Sequence, residues 1–324
     1  MSEKAGVDWS EAAFIIDLHF WAHKAWHAVP EGVKSPGGAP VNMIHGFAAM
    51  LVRLLAERGP RWLVAASEAR GPTWRHELFP AYKAARVAHP EGFDEQLAEV
   101  ARLLSLHRVP VLSAAGFEAD DVIAALVRRF RGCGVPVVVL TADKDLRQLV
   151  TDVEPTVLLW DGKDRYVGAR TVVKEWGVGP ERVADFLALV GDEGDGVPGV
   201  PGVGPKRAVE LLEGTASVED VLRAKQWATG AVARALRAGA GQLHLSRKLV
   251  SLREDVPLEI ELAECALGAY EVGGLHAFYE RVGLDRLAHR MEQAPAKRQV
   301  DAAMAAAWRA VGARQTGTDP VDLR

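Results

Sequence analysis

Cysteine is nearly missing: 324 residues contain only Cys133 and Cys265, neither with a histidine at metal-ligand spacing. That argues against a disulfide framework or a structural zinc and leaves two ordinary buried thiols. Long apolar runs are missing too. The longest, such as residues 135–140, are far too short to span a bilayer, and this one contains Pro136. The N-terminal MSEKAGVDWSEAAF has acids where a secretory signal needs an apolar stretch, so a cytoplasmic chain with no membrane partner is expected. Neither sign of charge prevails: 39 Lys and Arg stand against 43 Asp and Glu, a formal net of −4. Such a balance disfavours indiscriminate coating of nucleic acid, yet permits acids gathered at a metal site with bases elsewhere. A P-loop, HExxH and GxSxG are all absent. The stretch from Gly194 to Gly199 matches GxGxxG in form only, because it follows no strand and includes Pro198.

What is present is an alternation of short apolar runs with longer amphipathic stretches, the pattern of a parallel sheet covered by helices. Strands are expected at 12–18, 62–67, 135–141 and 156–160, and helices at 41–58, 95–107 and 120–131. From about Gly191 the chain turns rich in Gly and Pro, then helical without a convincing strand. Domains are therefore expected at 1–190 and 191–291. An Ala- and Arg-rich tail follows at 292–324, partly disordered, with a weak helix at 300–311.

The acids fall at strand ends and helix starts. Asp17 ends the first expected strand, Glu68 the second, and Asp143 and Asp145 follow the third. Glu118, Asp120 and Asp121 open a helix, while Asp192 and Asp195 sit in a GDEGD turn. Any one of these is ordinarily a turn or capping residue. Nine together at one sheet edge repel one another unless cations lie between them. Oxygen ligands without His or Cys suit Mg²⁺ or Mn²⁺, and paired ions serve displacement at phosphorus. His19, His23 and His27 share a helical spacing but, lacking further ligands, read as helix-face residues.

Between Arg70 and Arg86, four Lys or Arg face a single Glu, interleaved with Trp74, Phe79 and Tyr82. This is the composition of a single-strand groove and equally of a solvated helix with buried rings. A second basic face runs from Gly202 to Arg253, with nine Lys or Arg against four acids. There Gly202, Gly204, Lys206 and Arg207 open a helix that can receive phosphate, although a tight turn between packed helices looks similar.

Six motifs in order carry a resemblance: WRHE from Trp74, YKAAR from Tyr82, GFEADD ending at Asp121, LTADKDL around Asp143, GDEGD ending at Asp195, and PGVPGVG from Pro198. From Phe14 to about Leu287 the chain resembles the bacterial 5′-nuclease family, which includes the N-terminal domain of DNA polymerase I and stand-alone forms. The resemblance implies an α/β fold: a PIN-like parallel-sheet nuclease domain with a helical arch, then a helix-three-turn-helix domain of helix-hairpin-helix type. It implies metal-dependent 5′-3′ exonuclease and 5′-flap endonuclease activity with two ions, Mg²⁺ or Mn²⁺. Asp17, Glu68, Glu118, Asp120 and Asp121 map near one ion, and Asp143, Asp145, Asp192 and Asp195 near the other. Lys83 and Arg86 map as catalytic. His23, Arg75, Tyr82, Gly202, Gly204, Lys206 and Arg207 map to DNA, with K⁺ at the Gly202–Gly204 turn. The implied partner is DNA with a 5′ end or flap, bound by a monomer, with a polymerase as a separate chain. Departures are Leu18 for Gly, His23-Lys24 for Tyr-Arg, Glu68 for Asp, and Gly196 for Asn. The rival readings are a DNA-structure binder with a detuned nuclease fold and a PIN-like ribonuclease.

Overall fold

The computed structural model describes residues 9–163, 165–223, 230–270 and 272–287. The weak helix expected at 300–311 and the disorder expected of the tail lie outside them. In chain order the elements are β1 (Ala13–Asp17), α1 (Leu18–Ala28), α2 (Asn42–Glu57), β2 (Trp62–Ala66), α3 (Trp74–Leu78), α4 (Phe93–Leu106), β3 (Val111–Leu112) and α5 (Ala119–Gly132). Then come β4 (Val137–Leu140), β5 (Val157–Trp160), β6 (Tyr166–Val167), α6 (Ala169–Trp176), α7 (Val183–Val190) and α8 (Pro205–Leu212). Last are α9 (Val218–Arg223), α10 (Ala231–Ala238), α11 (Ala240–Val250) and α12 (Val272–Val282). No described helix is long and apolar enough to cross a membrane.

One sheet, ordered β3-β2-β1-β4-β5-β6, is parallel except for β6. Strands β1, β2, β4 and β5 are buried along their whole length, which is why their sequences are continuous apolar runs rather than alternations. Period two still sorts the side chains. Ile15, Val64 and Val139 face α5 and its Val122, Leu126 and Phe130, whereas Phe14, Leu63 and Val138 face the side covered by α1, α2 and α4. Cys265 is buried as expected, but Cys133 is exposed, because it caps the C-terminus of α5 at the surface.

Two features depart from expectation. The segment between α3 and α4 forms no helical arch, only five residues of α3 and then turns. Phe79 precedes Pro80, so its backbone is forced extended (φ −145°, ψ 94°) and α3 stops there. Lys83, at φ +54°, takes a left-handed conformation within the turns that follow. The other departure concerns the helical region. Helix α7 packs against α8 and α11, while residues 262–282 return to the sheet. Leu267 N–H donates to the Arg61 carbonyl (2.9 Å), and α12 places Tyr279 beside His107 of the α4 end, 3.0 Å from hydroxyl to Nε2. Leu267, Leu275 and Phe278 complete the core on the α1–α2–α4 side.

Candidate metal centre

Strands β2 and β4 flank β1 on opposite sides, so the sheet order reverses direction across β1, and the carboxyl ends of these strands frame a crevice. Asp17 ends β1 there and caps α1. Its Oδ1 accepts from the Phe20 N–H at 3.1 Å and its Oδ2 from the Thr141 hydroxyl at 2.8 Å. Thr141 also anchors the next turn, taking the Asp143 N–H at 3.0 Å, and Asp143 Oδ1 takes the Asp145 N–H at 2.8 Å. Burial, with Asp143 and Glu68 adding repulsion, pushes the Asp17 carboxyl up to about 6. Burial first and Asp143 second push Asp145 up to about 6 as well. Asp120 is raised well above the usual carboxylate range, again by burial and then by Asp143 and Asp17. Anions this poorly solvated call for a cation.

The GDEGD turn enters from α7. Gly191, at φ +85°, and Gly199 lie back to back: a Cβ on Gly199 would stand 2.2 Å from the Val190 carbonyl oxygen. This closure pairs Asp192 with Val197 and turns Asp192 and Asp195 inward. Carboxylate oxygens of Asp145, Asp192 and Asp195 all lie within 4.8 Å of one another. Gly196 adopts φ +69°, a left-handed conformation that Asn also tolerates, so its departure from the family pattern leaves the turn intact.

Around this trio the expected residues divide. Lys83 Nζ donates to Glu118 Oε1 at 2.8 Å and lies 3.7 Å from Asp195 Oδ2, while Arg86 reaches Asp195 Oδ1 at 3.0 Å. These cations hold the Asp195 carboxyl below its ordinary range against the effect of burial, which acts the other way. Glu68 stands exposed beyond the end of β2, close enough for its charge to act on Asp17 and Arg86. His23 is exposed on α1, its ring 4.5 Å from that of Phe93 and 5.4 Å from that of His89. Lys206 and Gly204 are exposed at the start of α8, Gly202 turns at φ +78°, and Arg207 pairs with Glu210 at 2.5 Å.

Four expected roles do not match the geometry, the first being that of Glu118, expected on a metal, whose carboxylate accepts from Lys83, Arg75 and Tyr82. Asp121 is wholly buried and its oxygens are already taken. Arg75 binds both, at 2.7 and 2.9 Å, and the Trp74 indole and the Arg253 N–H each add a donor at 3.0 Å. Nothing is left for a metal. Arg75, expected on DNA, is 2% exposed and also spans to the Leu249 and Ser251 carbonyls. Tyr82, expected to stack on bases, is 4% exposed, its hydroxyl donating to Glu118 and Asp195. Conversely, the acid-by-acid reading passed over Lys144, whose Nζ lies 2.5 Å from Asp192 Oδ2 and 3.0 Å from Asp145 Oδ1. Its position between two acids in the LTADKDL motif was the available signal.

The raised carboxyls give a pH expectation for the metal-free protein. Asp17 and Asp145 keep protons up to about 6 when folded, whereas an unfolded Asp releases its proton near 3.8. The folded state thus binds more protons in that window, and these two acids make stability fall as pH rises from about 4 to about 6. In EDTA the melting temperature should be lower at about pH 6.5 than at about pH 4.5, with the difference reduced in Asp17→Asn. Equal slopes in parent and variant would remove Asp17 as a source.

Two family models cover most of the chain: "5′-3′ exonuclease, N-terminal resolvase-like domain" over residues 12–177 and "5′-3′ exonuclease, C-terminal SAM fold" over residues 178–272. A 5′-3′ exonuclease of Aquifex aeolicus is 37% identical over 252 residues, covering 78% of this chain and 84% of that protein. A thermostable DNA polymerase I of Thermus filiformis is 38% identical over 276 residues, 85% of this chain but 32% of the polymerase. This chain thus spans about a third of the polymerases it matches. Among solved structures, T5 5′-exonuclease with zinc ions bound aligns with TM-score 0.61 at 22% identity, covering 87% of this chain and 98% of the other. The catalytic core of Rad2 in complex with DNA substrate aligns at TM-score 0.59 and 17% identity, covering 89% and 95%. At such identities the two structures speak for the fold.

Proposed function

The chain belongs to the 5′-3′ exonuclease family, and on that premise we propose that it hydrolyses DNA as a metal-dependent 5′-3′ exonuclease and 5′-flap endonuclease. One observation supports this above others: Asp145, Asp192 and Asp195 converge within 4.8 Å, in a crevice that also holds the buried Asp17 and the partly buried Asp120. The candidate ligands are all carboxylate oxygens, a donor set for hard ions, so two Mg²⁺ or Mn²⁺ fit it. Asp143, Asp145, Asp192 and Asp195 would hold one, and Asp17, Asp120 and Glu68 the other. When bound, the ions supply Lewis acidity toward water and the leaving 3′-oxygen.

The rest of the work falls to the chain. Lys83 and Arg86, now on Glu118 and Asp195, would exchange these partners for phosphoryl oxygens as charge grows there. Glu118 positions Lys83. His23, exposed beside the crevice, offers a ring to an unpaired base near the 5′ end. The exposed start of α8, with Lys206 and Arg207, would hold duplex through phosphates, and the Gly202–Gly204 turn would take K⁺. The partner is DNA with a 5′ end or flap, bound by a monomer in the cytoplasm, with any polymerase a separate chain.

The test is purified protein on a 5′-flap duplex, a blunt duplex and an RNA control, each with Mg²⁺ and with EDTA. DNA cleavage in Mg²⁺ alone is expected. Binding of the flap without cleavage in any metal would favour a detuned binder. Two substitutions separate the roles. Lys83→Ala should slow single-turnover cleavage by about 10² and weaken binding far less. Lys206→Ala should weaken duplex binding and reduce the slope of log affinity against log salt by about 1. An unchanged slope removes that face from the interface.

A further inference from the structure

Besides the buried Arg75, three cations reach the acids of the crevice among the described residues, and two of them, Lys83 and Arg86, come from the segment between α3 and α4. The third grows out of the acid motif itself. Lys144 lies between Asp143 and Asp145, its backbone fixed where the Asp145 N–H meets Asp143 Oδ1 and the Arg147 N–H meets the Lys144 carbonyl. Its ammonium bridges Asp145 and Asp192, two of the three converging carboxylates, at 3.0 and 2.5 Å.

The partners differ in their freedom. The side chains of Asp145 and Asp192 are 15% and 8% exposed, so neither can turn away to be solvated. Lys144 is 46% exposed, and rotation of its flexible stem takes the ammonium into water without moving the backbone. An ion pair with two exposed partners would be worth little. Here, losing the ammonium leaves two poorly hydrated anions facing each other, which a divalent ion relieves better than a single charge does.

We propose that Lys144 is a built-in counter-cation of the Asp145–Asp192 pair: it holds the pair together in the metal-free protein and competes with one divalent ion for it. This rests on the two-ion reading above. The free-metal concentration at which that ion enters is thereby set by a residue that ligates nothing. Once displaced, the ammonium stands free at the rim of the crevice.

The probe is Mn²⁺ alone, titrated into the 324-residue chain and followed by the electron paramagnetic resonance of the free ion. In Lys144→Met one bound Mn²⁺ should tighten by roughly three- to tenfold, while Lys144→Arg, which keeps the charge, stays near the parent. Lys144→Met should also melt below the parent in EDTA and gain more than the parent from Mn²⁺. A merely structural lysine would produce the lower melting but not the tighter ion. A second measurement needs no variant: amine-reactive labelling of Lys144 in the parent, read by mass spectrometry, should be faster with Mn²⁺ than in EDTA. Unchanged or weaker Mn²⁺ affinity in folded Lys144→Met, or labelling that Mn²⁺ does not accelerate, overturns the inference. A parent that binds no Mn²⁺ overturns the two-ion reading and this inference with it, and that result is distinct from the other two.

Discussion

Asp145→Asn is expected to lower single-turnover cleavage of a 5′-flap duplex by about 10³, a barrier increase near 4 kcal/mol. Binding of the same duplex in EDTA should stay within about twofold, because no phosphate contact is removed. The substitution replaces a carboxylate with an amide of the same shape at one corner of the Asp145–Asp192–Asp195 trio. The shape is kept, and the charge that draws a cation is lost. Asp145 suits the test because its side chain is 15% exposed and its carboxyl is pushed up to about 6 by burial and by Asp143. An Asn there relieves repulsion in the metal-free protein, so loss of activity cannot be blamed on loss of fold; melting in EDTA checks this. Cleavage at the parent rate would exclude Asp145 from the metal centre.

Arg75→Met should cost about 3–5 kcal/mol of stability, the range for removing one partner of a buried ion pair. The methionine fills much of the space but leaves Asp121, wholly buried, without the guanidinium that binds both its oxygens. Glu118 loses a donor at 3.0 Å, and the Leu249 and Ser251 carbonyls lose theirs. In thermal melts the drop should be on the order of 10 °C. Pairing it with Asp121→Leu should recover part of the loss, since the stranded charge goes too. A DNA-contacting Arg75 would behave in the opposite way, with stability nearly unchanged and the salt slope of binding reduced. The melt and the salt titration together decide between the two.

Asp120 and Asp121 show what a sequence can and cannot convey. They are neighbours on α5, so their side chains point about 100° apart, and only one can face the crevice. Spacing marks both as acids at a helix start; it does not say which one meets Arg75. That depends on where α3 and the end of α11 come to lie, a matter of tertiary packing. The convergence at the sheet edge was legible, because strand ends in a parallel sheet share a side whatever the loops do. Strands β1, β2, β4 and β5 were legible for a related reason: burial on both faces leaves a continuous apolar run. The two-residue strands β3 and β6 are too short to impose any pattern. The absent arch is a different case. Phe79-Pro80 is a helix stop visible in the sequence, and the expectation of an arch came from resemblance alone.

The return of residues 262–282 to the sheet also bears on how the protein is made. Leu267, Leu275, Phe278 and Tyr279 belong to the same core as Phe14 and Phe47, more than 200 positions earlier in the chain. During synthesis, α1, α2 and α4 can cover this face of the sheet, but the core they share must wait for α12, the last described helix, to be completed. Over that interval the apolar sides of α2 and α4 are open to other chains or to chaperones. A fragment cut before residue 262 would keep every acid of the crevice and still expose that face. Its failing would be aggregation rather than lost chemistry, and expression trials of truncated forms would show it as insolubility.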